Sequence, residues 1–383
     1  MIDKPSGVIV FVKNKLISLD TILPVLLELK ESHNISSTIV VSNRLTHEGI
    51  KNNVVIRDVI RYIGSELYIS RGINNRLIRK VVILLQLFTL IIKSVFGYKI
   101  IHFGLLDRFP FKYIFSPFKR NIYFSQQDSF LHTFDKYDYL FSKSSKKDTP
   151  NLIGDNIIVF NDGMEGLDQI SKDKNIYFFG ETRTRKIWID YAKRNENYYF
   201  SKYHGGLDYS KGFVVFILST FGELKSIKNY KSGMLKSGML DLFHDTIEAL
   251  SSFNVNILLK PHVFTDMDIV CNAIKDKENM NITYLHPTIL SLNSKLFISN
   301  YYSTTLADAY SLDVPTIEYS DYSDVLLQAS NQKSMGYQYV SYFINNDKKL
   351  LIETIKNILS KPENKGFNGV TGDNSGLLED LSK

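Results

Sequence analysis

Cysteine is almost absent from this chain of 383 residues. The one thiol, Cys271, excludes an internal disulfide framework and any zinc site built on clustered cysteines. A reduced, cytoplasmic setting is therefore the expectation. Long apolar runs are missing too: the longest, Val81–Ile92, is interrupted by Gln86 and Thr89. A bilayer-crossing helix needs about 20 apolar residues, so no span is expected. Met1–Ser6 carries one Lys and one Asp, and the run Gly7–Val12 stops at Lys13 without a small-residue cleavage site, so no secretory leader is expected. No P-loop, G-x-S-x-G elbow or H-E-x-x-H helix occurs, and no G-x-G-x-x-G follows the first apolar run. Nucleoside-triphosphate, serine-hydrolase, zinc-protease and nicotinamide chemistries lose their usual signatures. Aspartates in D-x-D spacing occur only at Asp266–Asp268, so neither a metal nor a cofactor is expected.

Acidic residues are also missing between Glu66 and Asp107, while Arg71, Arg76, Arg79, Lys80, Lys93 and Lys99 all fall there. Arg108, Lys112, Lys119 and Arg120 extend the basic stretch, interleaved with Phe109, Phe111, Tyr113, Phe115 and Phe118. Two readings stand. Residues 71–120 form a peripheral membrane contact with anionic headgroups, or a core helix flanked by solvated charges. Over the whole chain, 46 Lys and Arg against 40 Asp and Glu give a net charge of only +6, and no nucleic-acid motif appears. Nucleic acid is not an expected partner.

What the chain has in quantity is apolar material: 44% hydrophobic and 13% aromatic residues, enough for a large core. The length suits two domains. Short apolar runs of strand length, Gly7–Val12, Ser37–Ser42, Lys99–Phe103, Asn121–Phe124, Tyr137–Phe141 and Asn156–Phe160, alternate with helical patterns such as Leu16–Lys30 and Arg44–Ile63. The theme returns with Phe213–Leu218, Asn256–Leu259, Asn281–Leu285, Lys295–Ser299 and Thr316–Tyr319, and with a helical pattern over Met239–Ser252. Strands that are apolar throughout and separated by helices indicate α/β architecture with mostly parallel sheets covered on both faces. The reading is two facing Rossmann-like domains, 1–180 and 181–360, followed by a frayed polar tail at 361–383.

Three polar clusters follow predicted strands, where the active-site residues of parallel sheets gather. The first is Asn161-Asp162-Gly163 with Glu165. Its carboxylates suit a general base, and the same tripeptide also suits a plain turn. The second is Lys260-Pro261-His262, a cation and an imidazole fitted to a phosphate, or else a surface loop. His286-Pro287 is a rival of the same type. The third, Ser303-Thr304-Thr305, opens a predicted helix, as a phosphate site or as a simple cap.

In this order the clusters resemble the acidic D/E-D-G, His-Pro and Ser/Thr-rich motifs of bacterial sialyltransferases and polysialyltransferases of the GT-B fold. The resemblance spans about 150 residues, Asn156 to Tyr319. It implies a metal-independent glycosyltransferase that moves a sialic acid, Kdo or related nonulosonic acid from a CMP-sugar donor to an oligosaccharide or glycolipid acceptor of a capsule or lipopolysaccharide. It also implies work at the inner membrane face, with the acceptor on the N-terminal domain. Asp162 and Glu165 would carry the base, with Lys260, His262, His286, Ser303, Thr304 and Thr305 around the CMP phosphate. The chain departs from the family at Asn161, where the first acid stands, and at Val263, where the proline follows His. Asp162, Glu165 or Asp208 then has to supply the base. Lys260–His262 and Tyr302–Thr304 also resemble the Lys-x-His-Pro and Ser-Ser turns of CDP-glycerol glycerophosphotransferases. A non-catalytic glycan-binding protein is the third reading.

Overall fold

A computed structural model describes residues 7–12, 16–69, 75–128, 130, 152–161, 173–208, 212–221, 235–262, 265–360, 369–372 and 375–383. These form two compact units, one from 7–130, 152–189 and 369–383 and the other from 190–360. The division falls inside the helix Lys186–His204, between Ile189 and Asp190.

The first unit is built on seven strands: β1 Gly7–Val12, β2 Ser36–Val41, β3 Gly64–Tyr68, β4 Lys99–His102, β5 Ile122–Ser125, β6 Asn156–Val159 and β7 Asn175–Phe178. Their order is β3-β2-β1-β4-β5-β6-β7, and every pairing is parallel. The second unit has six: β8 Phe213–Ile217, β9 Asn256–Lys260, β10 Met280–Ile282, β11 Ser294–Asn300, β12 Thr316–Ser320 and β13 Tyr342–Asn345. Their order is β10-β9-β8-β11-β12-β13, again all parallel. Every residue of β1, β6, β8 and β12 is buried, because helices cover both faces of a parallel sheet and leave no polar side. In each unit the chain first builds to one side of its opening strand and then crosses to the other. The strand order therefore reverses between β1 and β4, and again between β8 and β11.

The sequence reading found the central strands and missed β3, β7 and β13. All three are edge strands with partly exposed residues, so they lack the continuous apolar signal. The predicted strand Tyr137–Phe141 lies outside the described residues. The helical stretch Arg44–Ile63 is two helices, Arg44–Asn52 and Val54–Ile63, joined at Asn53. The Asn53 side chain accepts from Ile56 N and caps the second helix, the usual way an Asx residue competes with helix continuation.

The frayed tail does not hold for the last residues. Leu377–Ser382 is a helix whose Leu377, Leu378 and Leu381 are buried in the first unit. Asp380 accepts hydrogen bonds from Tyr123 on β5 and, at 2.7 Å, from Tyr177 on β7. Burial, together with the bond to this carboxylate, pushes both phenols up. The Gly- and Asn-rich composition upstream hid three leucines and an acid that complete this core. Leu381→Ala should lower the unfolding free energy by about 2–5 kcal/mol in a urea titration. A change below about 0.5 kcal/mol, the scale of ordinary surface substitutions, would detach the helix from the core.

Candidate functional site

In the second unit the polar groups collect on the carboxyl ends of β8, β9 and β11, around the reversal of strand order where open α/β sheets bind ligands. Strand β9 ends at Lys260, and Pro261 and His262 follow. Lys260 turns its ammonium to the Leu285 carbonyl at 2.8 Å, strapping the end of β9 to the loop after β10. His262 is exposed, and its Nδ1 lies 3.4 Å from Thr220 Oγ1 in the loop after β8. The backbone at His262 is pinned: His262 N donates to Thr265 Oγ1 at 2.9 Å, and Thr265 Oγ1 donates to the Ser219 carbonyl at 3.1 Å. Ser219 Oγ donates to the Asn300 carbonyl, which ties the loop after β8 to the end of β11.

Past Asn300 the chain turns at Tyr301, whose φ of 66° is rare for a bulky residue and marks strain held by its surroundings. Tyr301 N donates to Ser320 Oγ at 2.9 Å, and its ring packs on Tyr322. Below it, Glu318 is fully buried and accepts from Ser320 Oγ at 2.9 Å, Tyr322 OH at 2.6 Å and Ser334 Oγ. Ser334 leads to Gly336, where a Cβ would fall 1.9 Å from the Tyr302 ring, so only glycine lets Tyr302 lie there. Ser303, Thr304 and Thr305 follow, all half-buried. Ser303 Oγ accepts from Thr305 N at 3.3 Å, a local turn just ahead of the six-residue helix Thr305–Tyr310, whose N-cap is Thr304. The strand order β9-β8-β11 puts the loop that carries Thr220 between the segment after β9, with His262, and the segment after β11, with Ser303, Thr304 and Thr305.

Two expectations need correction. His286 is fully buried, and its Nδ1 accepts from Thr288 N at 3.1 Å as the cap of the helix Pro287–Ser291. A proline in the first turn and a side-chain cap explain the His-Pro pair as helix initiation. Asp208 lies on the other edge of the sheet, where its carbonyl accepts from Asn256 Nδ2 at the start of β9, remote from the strand ends that carry His262.

Asp162, Gly163, Val263 and Glu165 lie outside the described residues. Asn161 does not. It follows β6 and donates from its own N to Gln126 Oε1 at 3.1 Å, while its Oδ1 accepts from Gln126 Nε2 at 2.7 Å and its Nδ2 donates to the Asp128 carbonyl at 3.1 Å. A carboxylate could not donate that last bond, so an amide at this position has a structural reason. Thr220 and Gln126 are the partners that sequence reasoning missed. A lone Thr or Gln in a loop gives no signal until its neighbour across the sheet is known.

One further histidine stands at a strand end. His102 closes β4 beside the first unit's strand-order reversal and is fully buried. Its Nδ1 accepts from Gly104 N at 3.2 Å, so the ring proton is on Nε2, 3.3 Å from the Ile153 carbonyl. Burial lowers its pKa to about 4. Among the described residues, no three His, Cys, Asp or Glu side chains converge as a metal site would require.

No protein-family model matches this chain, and no curated protein does. Solved structures do. A UDP-N-acetylglucosamine 2-epimerase aligns over 100% of this chain and 95% of its own, at a TM-score of 0.57 and 14% identity. The UDP-GlcNAc 2-epimerase of Neisseria meningitidis, bound to UDP-GlcNAc, aligns over 98% and 99%, at 0.55 and 13%. The fold is GT-B. A wall teichoic acid polymerase aligns over 99% of this chain and 88% of its own, at 0.52 and 16%. At these identities the likeness speaks for the GT-B fold and its two Rossmann-like domains.

The buried imidazole makes the stability of the fold depend on pH. Because the folded pKa of His102 lies below the usual 6.5, the unfolded chain takes up a proton that the folded chain refuses. Stability should therefore fall as the pH drops from 6.5 towards 4, by up to about 3 kcal/mol from this group. Denaturant midpoints measured across that window should fall less steeply in His102→Asn than in the parent. Equal slopes would mean that His102 charges freely in the fold.

Proposed function

We propose that this chain is a glycosyltransferase whose nucleotide-activated donor binds the carboxyl edge of the second sheet. The observation that carries this is the exposed His262 imidazole beside Thr220, on strands next to the reversal of strand order, with Ser303, Thr304 and Thr305 across from it. A sugar leaving a nucleotide puts negative charge on a phosphate oxygen. A protonated imidazole and hydroxyl donors held in place before the reaction stabilise that charge without reorganising.

The motif order favours a CMP-activated acidic sugar as donor, and a surface-glycan oligosaccharide or glycolipid as acceptor. CMP leaves through a single phosphate, which matches a site of one imidazole and a few hydroxyls. In this reading a carboxylate, Asp162 or Glu165, takes the proton of an acceptor hydroxyl. The acceptor oxygen then bonds to the anomeric carbon as the bond to the phosphate oxygen breaks, and CMP departs from the His262 side. The transition state resembles an oxocarbenium ion, which a nearby carboxylate favours. The similarity to two UDP-GlcNAc 2-epimerases over nearly the whole chain favours a second reading, in which the bound nucleotide is a uridine diphosphate sugar.

Thermal unfolding with CMP, CDP, UDP and UDP-GlcNAc at equal concentration separates these readings. A ligand at 100 times its dissociation constant adds about 2.7 kcal/mol, a rise of a few degrees in a chain of this size. CMP should stabilise most. A rise confined to UDP and UDP-GlcNAc would establish the second reading, one confined to CDP a phosphopolyol donor, and none at all a non-catalytic glycan-binding protein. With the donor known, His262→Ala should keep the parent melting temperature, since the ring is exposed, and cut transfer by about 10²-fold. Unchanged transfer would remove His262 from the site.

A further inference from the structure

The helix Arg76–Val95 is apolar on two separate faces. Ile83, Leu87 and Leu90 pack into the core of the first unit. Leu77, Val81, Leu84, Leu85, Phe88 and Val95 recur every few residues on the other side and stay exposed, Leu84 by 66%, Phe88 by 60% and Val95 by 66%. At about 100° per residue the mean directions of the two sets lie about 130° apart. A helix that is apolar all round belongs against apolar matter on both sides, and a contiguous exposed stripe of this kind marks a docking surface.

Basic charge gathers at the start of the helix, off the centre line of the outer stripe: at about 100° per residue Lys80 lies about 80° from it, Arg76 about 120° and Arg79 about 180°. Arg76, Arg79 and Lys80 are exposed at the start of the helix, and no acid occurs between Glu66 and Asp107. At the far end, Val95 borders an open hollow of about 400 Å³ lined also by Phe118, Lys119 and Arg120.

We propose that this face docks on a bilayer containing anionic lipid, the apolar stripe entering the headgroup boundary and the basic groups meeting lipid phosphates. The helix would lie along the surface, because none of the described helices is long and apolar enough to cross a membrane. Charge decides against a second copy of the chain as the occupant. The start of the helix carries three exposed cations, and at the far end Arg120 stands exposed beside the Lys119–Asp155 ion pair, so parallel pairing would set cation against cation and antiparallel pairing would find only one acid, already paired. The inference does not depend on the glycosyltransferase reading.

Co-sedimentation with vesicles tests it. The protein should pellet with vesicles of phosphatidylcholine and phosphatidylglycerol in equal parts, bind pure phosphatidylcholine about tenfold more weakly, and release as salt is raised. The double variant Leu85→Asp, Phe88→Asp alters two exposed side chains, so it should melt like the parent and lose binding by about tenfold or more. Arg79→Glu with Lys80→Glu should abolish the preference for anionic vesicles while leaving the weak binding to phosphatidylcholine. A parent protein that stays in the supernatant overturns the proposal, as does binding unchanged in the Asp variant. A parent dimer that this variant converts to a monomer, with no vesicle binding by either, would assign the face to self-association and overturn it as well.

Discussion

Strand β8 has β9 on one side and β11 on the other, and the layout of the second unit's polar carboxyl edge depends on that reversal. The chain leaves β8 towards β9 and β10 and comes back to β8's other side only at β11, so the loops that follow β8 and β11 part from one another. A parallel sheet satisfies its backbone groups internally and offers ligands only loop atoms at its carboxyl edge. Here that edge is held by hydroxyls. Ser219 reaches the Asn300 carbonyl, Thr265 bridges Ser219 and His262, and Ser320 holds the Tyr301 amide. The αL turn at Tyr301 is the strained element. Its surroundings rest on Glu318, a carboxylate that would be costly to bury without the three hydroxyls that donate to it. Geometry at the exposed His262 thus depends on polar contacts made below the surface.

Legibility in the sequence followed burial. A strand covered on both faces writes itself as an unbroken apolar run, and GVIVFV and FVVFI are readable without a structure. Edge strands such as GSELY carry mixed residues because one side has no neighbour, so pattern alone could not separate β3 from a loop. His262 draws attention in the sequence because a basic residue and an imidazole follow an apolar run, and the structure leaves it exposed just past β9. The roles of Asn161 and His286 were not legible, because each depends on a partner. Asn161 looks like a defective acid until Gln126 and the Asp128 carbonyl show that it must both accept and donate. His286 looks like a phosphate ligand until its Nδ1 is found receiving the Thr288 amide. Residue type gives the chemistry a side chain can perform, and only packing says whether that chemistry is already spent.

Two ion pairs pin the chain of the first unit: Arg183–Asp128, buried on both sides, and Arg185–Glu28, whose glutamate on the helix Ile17–His33 is half-buried. Arg183 meets Asp128 at 3.2 Å and stacks over Phe130, and both side chains are almost wholly buried. Arg185 grips Glu28 through two bonds, of 2.7 and 2.9 Å, and stacks over Phe179. Both arginines belong to the short segment from which the helix Lys186–His204 starts, and that helix carries the chain into the second unit. The returning chain joins the same segment, since Val370 N donates to the Thr184 carbonyl and Lys186 N to the Val370 carbonyl. Buried ion pairs often add little net stability compared with apolar residues of similar volume, whereas losing one partner is severe because the other charge is stranded. Such pairs therefore do more to fix a position than to strengthen a fold. Two of them, each clamped on an aromatic face, leave the 182–185 segment one low-energy placement against β5 and the helix Ile17–His33. The covalent link between the units then starts from a fixed point, because any other placement of that segment would leave at least one buried charge without its partner.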